Sequence, residues 1–196
     1  MPVGRRTWIR LGAVAAVTGI VAGYLVFYLG AGSLEVGPQS RWWYRQDWTR
    51  EVTTTADGAT QTTVPVRSRQ RQGFAVGIYN PTDVTQTIVG VPGPGQGSLP
   101  PTFQTQQVSV SVPNSDINRG GFITNVRFTL PGAIPPHQLR LLRVTWISDI
   151  CLDERGATLV MDQIALRVRV GWFTRTERIP LGQGWGVSGP SQGFCP

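Results

Sequence analysis

The sequence predicts an all-β protein, an antiparallel immunoglobulin-like β-sandwich, preceded by one N-terminal transmembrane helix. Residues 11–30 form an uncharged and largely apolar run. Beyond this run, apolar and polar residues alternate over many short segments bounded by Gly, Pro and Asn, which is typical of half-buried strands. No later segment repeats its apolar residues with the period of an amphipathic helix. Sheets with one apolar face bury it against a second sheet, which predicts the sandwich.

Residues 11–31 are predicted to cross the membrane as a helix. About 20 residues rising ~1.5 Å each cover the ~30 Å hydrocarbon core, and Thr18 is the one clearly polar residue in the run. Three arginines directly precede the run, whereas the first charge after it is Glu35. This asymmetry predicts a single-pass protein of the cell membrane, with residues 1–10 in the cytoplasm and the C-terminal domain outside it.

A cleaved secretory signal peptide is the alternative for this segment. The arginines would form its basic region, and Ala31-Gly32-Ser33 offers small residues for cleavage. The apolar region of a signal peptide covers about 7–15 residues. The run in this chain is longer, which favours an anchor that stays attached.

Small residues recur on one face of the predicted helix, at Ala15, Gly19 and Gly23. Their spacing contains a G-x-x-x-G pattern, which lets two membrane helices approach closely. Such a face would support a homodimer, or docking to another membrane protein through the anchor. A span that is merely rich in Gly and Ala is the alternative, and it is the commoner case.

The charge balance limits the class of partner. The 196 residues carry a net charge of +7, and all 18 basic residues are arginines. Three of them precede the span, which leaves 15 against 11 acidic residues and a charge of +4 outside. This mild excess is compatible with anionic lipid, an anionic wall polymer or ordinary solubility. It does not indicate nucleic acid, which calls for a strongly basic surface.

The two cysteines, Cys151 and Cys195, predict one disulfide. An extracytoplasmic compartment is oxidising and the cysteine count is even. The bridge would close a loop of 44 residues, a stabilisation of about 4 kcal/mol in the chain-entropy model. Two free thiols or a metal pair are weaker alternatives, because no histidine lies near either cysteine in sequence.

Residues 32–49 are predicted to form a neck between the membrane and a β domain at 50–196. The neck contains Trp42 and Trp43 between arginines. These rings either lie among the outer lipid headgroups, where Trp and Arg are favoured, or form the first layer of the domain core. Both interpretations stay open.

Three arginines alternate at the start of the β domain, at Arg67, Arg69 and Arg71. On a strand they would project from one face and form a stripe that contacts an anion or a partner. The alternative is an edge strand that its charges protect from pairing with other chains.

About eight or nine strands are expected. Segments 51–55 and 60–66 flank Asp57-Gly58, a tight-turn pair, and predict a hairpin. The other strands are expected at 73–80, 84–91, 108–112, 124–130, 142–146 and 164–170, with a short last strand around Ile179. Residues 92–101 and 131–137 are rich in Pro and are expected to be loops.

Little in the chain indicates catalysis. Residues 184–189 match G-x-G-x-x-G, but no room remains for the helix that the dinucleotide fingerprint requires, so a glycine-rich loop is expected there. His137 is the one histidine, and no nucleophile motif accompanies it. The acidic residues Asp149, Asp153, Glu154 and Asp162 match no EF-hand loop. No enzyme, cofactor or metal is expected.

Residues 74–91, FAVGIYNPTDVTQTIVGV, resemble a pattern in uncharacterised extracytoplasmic proteins of high-GC Gram-positive bacteria. In that pattern a strand ending in Asn leads through a turn into a Val-rich strand. The run 139–150 followed by Cys151, with the terminal Cys195, is similar to the same family. The resemblance covers about residues 70–196 and implies an immunoglobulin-like, membrane-anchored domain without a family-wide activity.

These observations predict a single-pass, membrane-anchored module of the cell envelope that binds or has a structural role. Its expected partners are the membrane bilayer and an envelope protein or anionic polymer. One alternative is an accessory subunit that joins a membrane complex through its anchor helix. Another is a secreted protein with a cleaved signal peptide, or an envelope hydrolase.

Overall fold

The computed structural model divides the chain into two units, Met1–Gly32 and Ser33–Pro196. It describes residues 14–24, 27, 31–37, 42–43, 51–54, 58, 60–67, 70–93, 107–112, 126–147, 151–152 and 157–192. The side chains of residues 42, 43, 51–53, 191 and 192 are not among those described.

The N-terminal unit contains helix α1, residues 14–24, and residue 27 is also helical. Its apolar side chains face outward, with Val14 65% and Ile20 71% exposed. No described atom lies within 4 Å of the Cβ positions of Gly19 and Gly23. Among the described residues, no helix has the length and apolar character needed to cross a membrane. The predicted span reaches beyond the described residues, so the span and its small-residue face stay predictions.

Twelve strands form the described part of the second unit. In chain order they are β1 (Glu35–Val36), β2 (Trp42–Trp43), β3 (Glu51–Thr54), β4 (Thr60–Arg67), β5 (Arg71–Tyr79), β6 (Gln86–Gly90), β7 (Gln107–Ser111), β8 (Phe128–Thr129), β9 (Gly132–Ile134), β10 (Leu139–Ile147), β11 (Thr158–Val170) and β12 (Phe173–Gln192).

The strands form two six-stranded sheets, which confirms the all-β prediction. Sheet A has the order β1-β5-β10-β7-β8, and β2 also pairs with β5. Sheet B has the order β3-β4-β12-β11-β6-β9. The prediction of purely antiparallel sheets is wrong at one place, because β4 and β12 run parallel. These strands are far apart in sequence, so no tight turn imposes opposite directions on them.

An aromatic cluster joins the inner faces of the two sheets. Phe74 on β5 stacks on Trp185 of β12, with ring centroids 4.9 Å apart and planes 19° apart. Trp146 on β10 meets Phe74 edge to face, with centroids 5.9 Å apart. All three side chains are at most 1% exposed. Aromatic side chains each bury a large area, so this cluster is the centre of the core.

Sheet B confirms the alternation expected along β11. Leu166, Val168 and Val170 are buried, whereas Arg167 and Arg169 between them are exposed. The period of two places the apolar residues on the core side and the arginines on the outer side of the sheet. The predicted hairpin around Gly58 is also confirmed, since β3 pairs antiparallel with β4 and Gly58 has φ +82°.

The last strand differs most from the sequence-based expectation. Residues 184–189 were expected to be a glycine-rich loop, but they lie inside the 20-residue strand β12. Gly184 and Gly186 have buried backbones between β4 and β11. Glycine permits this close approach because it has no side chain. Glycine in a sequence usually indicates the end of a strand. In β12 the absence of a Cβ atom instead allows the strand to continue close to its neighbours.

One further difference concerns strand placement. Residues 131–137 were expected to be a loop, yet Gly132–Ile134 forms β9 and pairs with β6. Strand β6 follows β5 in the chain but belongs to the other sheet, where it pairs with β11. The predicted neck also contributes to the domain, because β1 and β2 both pair with β5.

Gly186→Ala is expected to destabilise the β unit strongly. A methyl group at this position would overlap the backbone carbonyl of Leu159 on β11, and overpacking of this kind costs about 1–3 kcal/mol or more. Urea unfolding of the full chain in mild detergent, followed by Trp fluorescence, measures the loss.

Gly93→Ala is the matched control, because its Cβ position has no described neighbour within 4 Å. It should leave the unfolding free energy close to wild type. Equal stability of Gly186→Ala and wild type would contradict the close packing of β12 on β11.

Candidate functional site

A pocket of about 460 Å³ opens at one end of sheet A. Most of its lining residues lie on β5, β7 and β10. The others are the last residue of β6, the residue after it, and the residue after β8. The lining residues are Arg71, Gly90, Val91, Gln107, Val108, Ser109, Leu130, Arg143 and Thr145.

Arg143 is held in place on the outer side of sheet A by two neighbours. Its Nε donates a hydrogen bond to the Ser109 hydroxyl oxygen at 3.0 Å. Its guanidinium carbon lies 4.5 Å from the centroid of the Phe128 ring, a cation–π distance. The strand register explains the first contact, because Arg143 and Ser109 are directly paired across β10 and β7. The half-buried guanidinium therefore has a defined orientation.

The lining of the pocket is cationic and otherwise neutral. Arg71 is exposed and Arg143 half-buried, and none of the described residues that line the pocket is acidic. Leu130, which is 47% exposed, and Val91 add apolar surface at the rim. Planar guanidinium groups bind carboxylate and phosphate oxygens with two parallel hydrogen bonds. The arrangement suits an anionic group that carries an apolar portion.

The predicted arginine stripe does not lie on one strand. Arg67 is the last residue of β4 in sheet B and Arg71 is the first of β5 in sheet A. A turn separates them, in which the Gln70 N–H donates to the Arg67 carbonyl at 3.2 Å. Arg69 lies outside the described residues. Of the three, Arg71 reaches the pocket, whereas the half-buried Arg67 does not line it.

Gln72 fixes this crossing between the sheets. Its side chain is 1% exposed. Its Oε1 accepts from the Arg67 N–H at 3.0 Å, and its Nε2 donates to the Pro65 carbonyl at 2.9 Å. A buried amide that satisfies two backbone groups is a strong local constraint. It holds the start of β5, and therefore Arg71, beside β10.

A second polar site lies where the chain enters the β unit. Glu177 on β12 is buried, and its Oε1 accepts from Arg175 Nε at 2.7 Å and Nη2 at 2.6 Å. Its Oε2 accepts from the backbone N–H of the buried Leu34 at 3.0 Å. We call Leu34, Arg175 and Glu177 the junction clamp. The clamp fixes the first residues of the unit to the inner side of sheet B.

His137 lies in the turn after β9 and adopts φ +54°. Its Nε2 is 2.8 Å from Asp83 Oδ1, and both side chains are largely exposed. Beside this pair, Asn80 is fully buried and its Nδ2 donates to the carbonyls of Val84 and Ile134 at 2.8 and 2.9 Å. These contacts tie the loop after β5 to the end of β9. They account for the position of His137 by structural contacts. Among the described residues, no nucleophilic side chain is shown in contact with it.

The remaining predicted residues are only partly described. Trp42 and Trp43 pair with Ala75 and Phe74 through the backbone, and their side chains lie outside the described residues. Cys151 is disulfide-bonded, while Cys195 lies outside the described residues, so the named pairing stays a prediction. Asp162 is exposed on β11, and the three other acidic candidates are not described. The described part of the chain contains no group of three or more potential metal ligands.

The sequence-based search missed the central residues of the pocket. The expected strands 108–112 and 142–146 contain Ser109, Arg143 and Thr145, but no binding role was predicted for these residues. The alternation was the available signal, because it placed these polar residues on the outer face. Their juxtaposition depends on the pairing of β7 with β10, which alternation alone does not specify.

Comparison with known proteins gives no family assignment. No protein-family model matches the sequence. No curated protein matches it. Among solved structures, the chain is similar to the ASH / PapD-like domain of human CEP192 (PapD-like domain 7), at 10% identity and a TM-score of 0.33. The match covers 80% of this chain and 91% of that domain. A likeness at this level carries no argument about function.

Glu177→Ala is expected to lower the free energy of unfolding by about 3 kcal/mol. The change leaves the Leu34 N–H and the Arg175 guanidinium without their buried acceptor, and breaking one side of a buried ion pair costs about 3–5 kcal/mol. Urea unfolding of the full chain measures the difference.

Asp83→Asn serves as the control, since it removes the charge of an exposed pair and should leave stability almost unchanged. If both variants unfolded at the same urea concentration, the result would contradict a stabilising role of the junction clamp.

Proposed function

We propose that this chain is a single-pass, membrane-anchored extracytoplasmic module of the cell envelope that binds anionic groups on an envelope protein or polymer. The observation that carries the binding proposal is the pair of arginines, Arg71 and Arg143, in a pocket whose described lining residues include no acidic one. The protein acts by binding and does not catalyse a reaction.

The described helix supports the anchor. Val14, Val17, Ile20 and Val21 on α1 are 52–71% exposed, and no residue from 11 to 30 is charged, so no charged face interrupts the helix surface. A helix that is apolar all round requires apolar surroundings, such as a membrane. Three arginines before the predicted span favour a cytoplasmic N-terminus.

The fold supports an extracytoplasmic binding domain. Two sheets around one aromatic core form a rigid scaffold, and we assign it to the immunoglobulin-like sandwiches of membrane-anchored proteins in high-GC Gram-positive bacteria. The disulfide-bonded Cys151 is consistent with an oxidising compartment. The pocket extends from Arg71, the first residue of β5, to Arg143, which pairs with Ala75 in the middle of that strand. The chain enters the unit beside Tyr79, at the other end of β5. Arg71 is therefore about 26 Å from that end and Arg143 about 13 Å, at ~3.3 Å per residue.

An accessory subunit that acts through its anchor is the second candidate. The open space at the Cβ positions of Gly19 and Gly23 supports close approach of a second helix. In that case the arginines of the pocket would be dispensable for assembly.

Replacing both pocket arginines, Arg71→Gln with Arg143→Gln, is expected to weaken retention on an anionic polymer. Carbonate-washed membranes that retain the full chain would be solubilised in mild detergent and applied to immobilised dextran sulfate. The wild type should elute at a clearly higher salt concentration than the double variant, because screening weakens the guanidinium–anion contacts.

The matched control is Arg127→Gln with Arg178→Gln, which removes the same charge from exposed positions outside the pocket lining. Uncharged dextran checks that retention is electrostatic. Identical elution of the two double variants would reject the pocket as the binding site. Loss of the wild type from the membranes in the carbonate wash would instead reject the anchor.

A further inference from the structure

The hairpin between β11 and β12 ends in an exposed aromatic tip. Gly171, with φ +57°, and Trp172 form the turn between Val170 and Phe173. Trp172 is 92% exposed and Phe173 is 41% exposed, whereas Val170 beside them is buried. Two adjacent, exposed aromatic side chains at a hairpin tip form an apolar surface that is available to another molecule. Such a tip therefore suggests contact with another surface.

The outer side of the same hairpin is cationic. Arg167 and Arg169 are exposed, and they pair with Thr176 and Thr174 across the two strands. Within the described residues, neither guanidinium has an acidic partner at ion-pair distance. On the inner side, Arg175 and Glu177 pair with each other. The surface directly behind the tip is therefore positive.

Acidic residues at this end of the unit are few among those described. Glu35 is exposed, and Asp83 is engaged by His137. Neither lies on the hairpin. On the outer side of the hairpin, the charges nearest the tip are therefore those of Arg167 and Arg169, which favours an anionic group at that surface.

The junction clamp places this tip close to the start of the unit. Glu177, which accepts from the Leu34 N–H, lies five residues beyond Trp172, or about 17 Å along an extended strand. Leu34 follows the predicted span, residues 11–31, by three residues, which reach about 10 Å when extended. If the span anchors the chain, as proposed above, the clamp keeps the tip within reach of the outer headgroups.

We propose that Trp172 and Phe173 insert among anionic phospholipid headgroups and that Arg167 and Arg169 contact the lipid phosphates. Trp is favoured at this boundary because its ring is apolar and its N–H is polar. Arginine side chains bury their apolar stems while the guanidinium remains with phosphate. The tether and the tip then hold the β unit on the membrane at two points. This proposal rests on the membrane anchor of the proposed function.

The test uses the full chain reconstituted in vesicles of phosphatidylcholine and phosphatidylglycerol whose acyl chains carry bromine, a short-range quencher of Trp fluorescence. The reconstituted vesicles are first washed with alkaline carbonate. Trp172→Phe should reduce the quenched fluorescence by up to about one seventh of the total, since the chain contains seven tryptophans. In vesicles that contain phosphatidylglycerol, the Arg167→Gln/Arg169→Gln variant should show less Trp quenching than the wild type. Its quenching should approach the level measured in vesicles of phosphatidylcholine alone.

Arg178→Gln is the matched control, because it removes one exposed arginine from the same sheet, farther from the tip, and should leave quenching at the wild-type level. Retention of the protein with equal quenching of wild type and Trp172→Phe would overturn the lipid contact and leave the anchor intact. A crosslink between two copies that depends on Trp172 would assign the tip to a self-contact and also overturn it. Release of the wild type by carbonate would overturn both the anchor and this proposal.

Discussion

The stacking of Phe74 on Trp185 is the contact on which the rest of the structure depends. One ring belongs to sheet A and the other to sheet B, so their contact determines how the two sheets pack. Trp146 completes the cluster from β10. Because β10 carries Arg143 on its opposite face, the same strand supports the core on one side and the candidate pocket on the other. Rigid packing inside gives the guanidinium outside a fixed position.

The direction of the strands gives the two ends of the β unit different roles. The junction clamp, the loop after β5 and the β11–β12 tip lie towards the end where the chain enters the unit. The arginine pocket lies towards the other end of β5 and β10. A membrane-anchored chain with this geometry would present the pocket away from the bilayer and the aromatic tip towards it. In this proposal Trp172 and Phe173 carry the membrane contact, and Arg71 and Arg143 carry the partner contact.

Alternation of apolar and polar residues was enough to predict the all-β class and the inward residues of β11, and the Asp57-Gly58 turn pair predicted the hairpin at Gly58. It did not predict which strands pair. The parallel pairing of β4 with β12 joins segments more than a hundred residues apart, and no local signal encodes such a contact. Gly186 shows the same limit, since its role depends on the Leu159 backbone of a neighbouring strand. The pocket could not be predicted from the sequence because Arg71, Ser109 and Arg143 come together only through the long-range pairing of β5, β10 and β7.

The central claim is that the β unit has a membrane-facing end and a pocket end. The most direct test is amide NMR of the full chain in nanodiscs that contain a lipid with a gadolinium-chelate headgroup. The metal broadens amide signals by paramagnetic relaxation, and this broadening decreases steeply with distance from the metal. We predict stronger broadening for residues 80–85 and for Trp172 than for Arg71 and Ile147 at the pocket end. Equal broadening at both ends, or stronger broadening at the pocket end, would contradict the account.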